Sequence, residues 1–437
     1  MRKKEKRIAV AAAIMAGMVL AGCGGNGGES QTSESTAKEE TQNTDTSSAE
    51  TQEGSGEKIE LTFFHYLEQY QEQFETLKAL YAEENPNVEL KVEIIGADYD
   101  KILQTRVATG EVPDIFLSGP YNMNELYSSV CYDLENEAFV DDITIGGEYR
   151  ASNGELSGIP FTSQAWGILY NQEVFEKAGI TELPETLDEL EQVCIKLQDA
   201  GYIPFAQGYK SDYIKNQFFG FPYAVDEQYE QNIQQLSNKE KTLKDFDFIN
   251  KIFDCAELVG KYTQENPFND DFAAAATRLG VGEAAMMISG DWIVENAQKA
   301  NPDCKIGLMA LPLSDNPDDA KIYVADSVGL HVNKDSENLD AALEFVNWLV
   351  TSQEAKDWFS NDMKALSAIK GVTPKDSQVL TDALEYMNEG KTGAWASYLF
   401  PQGLETELTP TIDKYLLGNI TREEAIDEMS TTWQEFE

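Results

Sequence analysis

The chain has 437 residues, with 77 acidic side chains against 33 lysines and arginines and a formal net charge of −44. That excess repels a polyanion and excludes nucleic-acid binding, while the length allows two domains with good cores. Two histidines, and no His-Glu-x-x-His, Gly-x-Ser-x-Gly or Walker loop, leave no metal, hydrolase or nucleotide signature.

Residues 2–7, Arg-Lys-Lys-Glu-Lys-Arg, form a basic leader to the uncharged apolar run 8–21. The pattern is that of a secretory signal, too short to span a bilayer. It ends in Leu20-Ala21-Gly22-Cys23, which resembles a bacterial lipobox. Small residues suit a peptidase cleft, and the Cys23 thiol can carry a diacylglycerol thioether; two or three acyl chains hold where one is marginal. Residues 1–22 are therefore read as a lipoprotein signal peptide. Residues 23–57 follow as a lipidated Cys and tether of Gly, Ser, Thr, Glu, Gln and Asn, whose eight acids face Lys38 alone. Such a segment buries too little apolar surface to offset its ordering entropy, so disorder is expected. Past Cys23 the cysteines are Cys131, Cys194, Cys255 and Cys304, widely spaced and read as small buried hydrophobes.

From residue 58 onward the periodicity changes with regularity. Ile59, Leu61 and Phe63 alternate as in a strand; Tyr70, Phe74, Leu77 and Tyr81 recur at helical spacing until Asn85-Pro86. Val88, Leu90, Val92 and Ile94 alternate again, 99–109 reads as a helix capped by Gly110, and 112–117 as a short strand broken at Ser118-Gly119-Pro120. Strand, helix, strand, helix, strand is the rhythm of an α/β fold with a parallel sheet covered by helices. A further strand falls at 168–171, and a capping box at Thr186/Glu189 opens a helix that runs to Gly201. Residues 185–300 read as helix-rich, 308–313 and 322–332 return to strand character, and 340–349 is an amphipathic helix. Capping boxes at Thr351/Glu354 and Thr421/Glu424 open the last helices.

Within 282–292 the apolar run 284–288 follows a helix end and stops at a Ser-Gly turn that presents Asp291 beside Trp292. An indole next to a carboxylate suits a ligand with apolar faces and hydroxyls, although the same Trp could pack in a core and the same Asp could cap the next helix.

In open α/β sheets ligands collect at the carboxyl ends of strands. The side chains there are His65, Tyr66 and Glu68, then Ser118, Tyr121 and Asn122. Thr162, Ser163, Gln164 and Trp166 follow Pro160, and Asp326 and Ser327 interrupt the strand at 322–332. After residue 22 the arginines are Arg106, Arg150, Arg278 and Arg422, none in these exits. An anionic ligand would recruit arginine or a helix N-terminus. Aromatic, amide, hydroxyl and carboxylate groups suit a neutral polyhydroxyl ligand instead.

Several motifs carry a resemblance. They are Arg-Val-Ala-Thr-Gly-Glu-Val-Pro-Asp-Ile at 106–115, Gly158-Ile159-Pro160, and Tyr170-Asn171 with Phe175-x-x-Ala178-Gly179-Ile180. Pro184-x-Thr186-x-x-Glu189-Leu190, Gly282-Glu283-Ala284-Ala285-Met286 with Gly290-Asp291-Trp292, and Ala342-x-x-Phe345-x-x-Trp348-Leu349 complete the set. In this order, with the lipobox, the chain resembles the family-1 extracellular solute-binding lipoproteins of carbohydrate importers driven by ATP-binding cassettes (maltose-binding-protein-like). The resemblance implies a two-lobe periplasmic-binding-protein-like fold, each lobe a sheet flanked by helices, with three crossings near 162–166, 324–327 and 366–370. Lobe 1 would be 58–163 and 327–367, and lobe 2 would be 164–326 and 368–437.

It also implies a monomeric receptor on the outer face of the cell membrane, held by its lipid alone. Such a receptor binds a sugar or oligosaccharide, hands it to permease subunits, and needs no cofactor, metal or catalytic residue. The expected ligand-binding residues are His65, Tyr66, Glu68, Ser118, Tyr121, Gln164, Gln217, Asp291, Trp292, Asp326 and Trp395. Gln217 stands for the segment 205–224, which follows no family pattern. Asp326 replaces a residue that is commonly small in the family, and reads either as a ligand acceptor or as a local cap. The competing readings are a surface-anchored carbohydrate-active enzyme, a sensory or adhesion subunit on the same fold, and a receptor for a glycerol phosphodiester or other non-sugar solute.

Overall fold

The computed structural model describes residues 58–96, 98–145 and 147–436; the leader, Cys23 and the tether lie outside the described residues. The strands are β1 (Ile59–His65), β2 (Val88–Ile94), β3 (Ile115–Ser118), β4 (Ile159–Asn171) and β5 (Ile203–Phe205). They continue with β6 (Ala284–Gly290), β7 (Ile306–Met309), β8 (Ile322–Val332) and β9 (Thr392–Gly393). Their order is β2-β1-β3-β8-β4-β6-β5, with β7 on β4 and β9 on β8. The outer pairs β1–β2, β1–β3 and β5–β6 are parallel, as the strand–helix rhythm implies. The central pairs β3–β8, β8–β4 and β4–β6 are antiparallel, which that rhythm does not reveal.

The two long strands in the middle serve both lobes. β8 pairs β3 through Gly329–Val332 and pairs Gln164–Trp166 of β4 through Tyr323–Ala325; β4 then pairs β6 through Trp166–Tyr170. Between these registers β4 slips twice, between Pro160 and Thr162 and between Thr162 and Gln164. A bulge adds a residue on one strand and bends it, so the sheet turns from one lobe to the other at this point.

Most local signals form as read. Phe74, Leu77 and Tyr81 bury one face of α1 (Gln71–Glu84), and α2 (Tyr99–Thr109) ends at Gly110, whose φ of 78° suits glycine. The Thr421/Glu424 capping box starts the last helix, Arg422–Glu435. Two readings are corrected. The run 284–288 is the start of β6, which continues through Ser289 and Gly290 rather than turning there. The helix expected to open with a Thr351/Glu354 box is Gln353–Trp358, capped by Ser352, whose hydroxyl accepts from the Ala355 N–H at 3.1 Å.

The buried side chains divide into separate cores. One gathers β1, α1, β3, the first residues of β4 and the helix Leu339–Thr351 around Phe63, Phe74, Phe161, Phe345 and Trp358. Another gathers β4, β6, β8 and the C-terminal helices around Trp166, Phe221, Tyr323 and Trp395. The fold is thus two α/β lobes. Ile369 and Val372 still pack in the first core, and Val379 is the next buried side chain in the second lobe. The chain therefore leaves the first lobe after 372, later than the 366–370 read from sequence, although Leu366 already touches the second lobe. The four cysteines beyond Cys23 are free and buried. Among the described residues no helix is long and apolar enough to cross a membrane.

Phe74 is fully buried, 5.5 Å from Phe63 and 5.7 Å from Trp358 between ring centroids. Phe74→Ala should destabilise the first lobe by about 3–5 kcal/mol, because a ring-sized cavity there cannot collapse. Urea unfolding read by tryptophan fluorescence checks this; a loss below about 1 kcal/mol would show that the core refills.

Candidate functional site

A cavity of about 600 Å³ opens between the lobes. Its first wall comes from strand exits: Tyr66 after β1, Gly96 after β2, Gly119 and Pro120 after β3, and Tyr99 and Asp100 at the start of α2. The second wall is the segment 397–405, which brings Tyr398, Gln402 and Glu405. Ser327, on β8 near the crossing, lies between them. Its hydroxyl is buried and, among the described residues, has no hydrogen-bond partner.

The aromatic side chains are held firmly. Tyr99 donates its hydroxyl proton to the Leu117 carbonyl at 2.6 Å and supports the Tyr66 ring at 5.1 Å. Tyr398 leans on Trp395, 5.4 Å away, and Trp395 stacks on Phe221 at 4.5 Å with planes 12° apart. Trp395 also donates its indole N–H to the Tyr323 carbonyl at 3.0 Å. Burial pushes the Tyr66 and Tyr398 hydroxyls above the ordinary range; Asp100 adds to the rise at Tyr66, and Tyr66 and Glu405 add to it at Tyr398. They remain neutral donors at any physiological pH.

A second cavity of about 810 Å³ lies where Tyr70 and Gln73 of the first lobe face Asp291, Trp292 and Glu295 of the second. Trp292 lies against Gly290, where no side chain could stand, and meets Trp395 edge-on at 5.7 Å. Trp292, Trp395 and Tyr398 therefore form one aromatic row whose ends reach the two cavities.

The structure does not bring together all the residues named from sequence. Tyr66 lines the first cavity; Glu68 is at its edge, its carboxylate against Gly96. Trp292 and Asp291 line the second. His65 does neither: it is fully buried, stacked on Phe74 at 3.9 Å, and its Nδ1 accepts from the Leu67 N–H. Burial lowers its pKa to about 3, so it is neutral. Ser118 is buried as well, 2.7 Å from Nε2 of His331, whose Nδ1 lies 2.8 Å from the Ser157 carbonyl. That carbonyl can only accept, so Nδ1 carries the proton and Nε2 accepts from Ser118. Trp395 is 4 % exposed and acts as the support under Tyr398 rather than as cavity wall. Gln217 lines neither cavity; its Oε1 is buried without a partner. Gln164 sits on β4 opposite Ala325 of β8.

Tyr121 holds an unusual backbone, φ 53°, with its N–H donated to the Glu148 carbonyl at 2.8 Å. Burial, with Glu148, Tyr229, Glu230 and Asp326 nearby, raises its hydroxyl pKa, and Tyr121 lines neither cavity. Asp326 lies on β8 between the stretch that pairs Gln164–Trp166 of β4 and the stretch that pairs β3. Its Oδ1 accepts from the Ser163 hydroxyl at 2.5 Å and its backbone carbonyl accepts from the Tyr149 hydroxyl at 2.7 Å. Burial pushes its carboxyl up to about 6 against the pull of Ser163. Asp291 does not cap the helix after it; its Oδ1 accepts from the Ala165 N–H of β4 at 2.9 Å. Burial raises this carboxyl to about 7.

Tyr99, Asp100, Tyr398, Gln402 and Glu405 were not anticipated. The strand-exit rule, applied to β2, would have reached Tyr99 and Asp100, which start the helix five residues on. The segment 397–405 follows no strand and carries no such signal. Among the described residues no group of three His, Cys, Asp or Glu side chains could hold a metal ion.

Residues 66–356 match the sequence profile of the bacterial extracellular solute-binding proteins. The chain belongs to this family. The multiple sugar-binding protein of Streptococcus mutans is 24 % identical over 336 residues, covering 73 % of this chain and 78 % of that one. The melibiose/raffinose/stachyose-binding protein MelE of Bacillus subtilis is 20 % identical over 363 residues, 79 % and 82 % of the two chains. Among solved structures, apo RafE from Streptococcus pneumoniae superposes with a TM-score of 0.76 at 20 % identity, over 87 % of this chain and 98 % of that one. At that identity the likeness establishes the fold.

The raised carboxyl of Asp291 gives a signed prediction. Its folded pKa of about 7 exceeds the ordinary 3.8, so the folded state prefers the protonated form. Stability from this group is present below about pH 4 and is lost as pH rises through 7. Asp291→Asn keeps the acceptor for Ala165 and cannot ionise. Between pH 4.5 and 7.5 the wild type should therefore lose stability relative to the variant in urea midpoints; parallel midpoints would disprove the assignment.

Proposed function

We propose that this family member is a lipid-anchored extracytoplasmic receptor that binds a neutral sugar or oligosaccharide between its lobes and passes it to the permease of an ATP-driven importer. One observation carries the ligand class: tyrosines from both lobes, Tyr66 and Tyr398, wall a cavity whose polar groups are carboxylates, hydroxyls and amides and whose lining, among the described residues, includes no lysine or arginine. Sugar rings have apolar C–H faces that stack on aromatic rings, and hydroxyls that donate to carboxylates. The relatives named for sugar binding support the same reading.

Ligand contacts to both walls favour the closed arrangement, since a ligand shifts a two-state equilibrium by its differential affinity for the two states. The lobes in this reading are 58–163 with 327 to about 372, and 164–326 with the remainder. Anchorage rests on Leu20-Ala21-Gly22-Cys23 and on the tether that follows. The chain acts as a receptor and returns the saccharide unchanged, so chromatography after incubation with purified protein should recover it intact.

Tyr398→Ala should weaken saccharide binding by about 2 kcal/mol, roughly thirtyfold, with unchanged circular dichroism. Isothermal titration of a panel of neutral tri- and tetrasaccharides identifies the ligand and then measures the variant; an unaltered dissociation constant would remove Tyr398 from the site. Cys23→Ala should shift the protein from the membrane pellet to the soluble fraction. Retention in the pellet after a high-salt wash would rule out the lipid anchor.

A further inference from the structure

The cavity holds two carboxylates that face it from opposite lobes. Asp100 stands on the first wall, next to Tyr99 and near enough to Tyr66 to raise that hydroxyl's pKa. Glu405 stands on the second wall, near enough to Tyr398 to do the same there. Each wall thus pairs a tyrosine with an acid. A third carboxylate, Glu68, lies against Gly96 at the rim. Among the described residues no lysine or arginine lines this cavity. Arg106, on the same helix as Asp100, is already held by both carboxylate oxygens of Glu93 at 2.7 and 2.9 Å, with its guanidinium over the Phe64 ring.

We propose that Asp100 and Glu405 are specificity-determining residues that make the cleft accept neutral or amine-bearing saccharides and reject those carrying a carboxylate. The inference rests on the saccharide reading above and narrows it. Closing the lobes brings Asp100 and Glu405 towards each other in a space that is losing water. A ligand that brings hydroxyl donors satisfies both acids, and one that brings an ammonium group also offsets their mutual repulsion. A uronic acid adds a third like charge between them, and like charges in such a partly dry site repel strongly. The tyrosine faces add to this selection, because their negative π faces favour cations over anions.

The test uses one sugar skeleton in three charge states. The neutral oligosaccharide that binds tightest in the titration panel is converted at a primary C6 position to its uronate and to its 6-amino derivative. All three are titrated into wild type and into Asp100→Asn/Glu405→Gln. In wild type the amine should bind at least as tightly as the neutral parent, and the uronate about thirtyfold more weakly at low salt. In the double variant the neutral parent loses affinity, but the gap between parent and uronate should close to within about threefold.

A uronate that binds wild type as tightly as its parent would overturn the inference and leave the saccharide reading intact. So would a gap that persists in the double variant, since rejection would then arise elsewhere. If no neutral, amine or uronate probe binds wild type, the saccharide reading itself fails and this inference falls with it.

Discussion

The antiparallel pairing of β4 with β8 is the constraint on which the rest of the molecule depends. Each strand contributes to both lobes, so two of the three chain passages between the walls run through a few residues of this ladder. Ser163 is the point where the crossings meet. Its N–H is donated to the Leu366 carbonyl at 2.9 Å, and its hydroxyl is donated to Asp326 at 2.5 Å. One small residue on β4 thereby holds both the returning strand and the later chain segment. Its neighbour Ala165 gives its N–H to Asp291, which ties the end of β6 to the same strand. The bulges beside Ser163 weaken the ladder locally, and side-chain bonds replace what the ladder loses. That combination concentrates the irregularity of the sheet at one place, between the two cores.

Two acids at this hinge are desolvated, Asp326 and Asp291, and both carboxyls are pushed above the carboxylate range by burial. Among the described residues neither pairs with a lysine or arginine; each accepts from a neutral donor on β4. A buried carboxylate without a cation costs stability, so these two positions trade stability for a defined hinge. Asp326 serves as a link between β4 and β8, and the hydroxyl that lines the cavity is that of the next residue, Ser327.

Strand, helix and capping signals near the N-terminus were legible because they rest on local periodicity. Site residues were legible only where the same periodicity was followed to its end. Ile59, Leu61 and Phe63 alternate into the core, and two further residues on, His65 belongs to that face; Tyr66, on the opposite face, reaches the cavity. Ser118 illustrates a different limit, for its partner His331 lies 213 residues away and no local pattern shows it. In the sequence Trp395 reads as an aromatic residue in the right region, yet its indole N–H is claimed by Tyr323 and its face by Phe221. Tyr398, three residues further, receives the exposure that Trp395 lacks. Contacts between elements far apart in sequence decided both cases.

The net charge of −44 raises the question of how so acidic a protein binds anything selectively. For a neutral ligand the overall field is nearly irrelevant, since there is no net charge to steer and salt screens the surface within about 8 Å. Recognition then depends on what survives at contact: ring faces for C–H surfaces, and acceptors for hydroxyl donors. Carboxylates are the strongest such acceptors, because hydrogen bonds to an ionised group exceed neutral ones about twofold. A cavity built from tyrosines and acids therefore suits the polyhydroxyl ligand proposed above, and the lack of cations among its described lining residues follows from the same requirement. An arginine placed among Glu68, Asp100 and Glu405 would pair with them and consume the acceptors that the ligand needs.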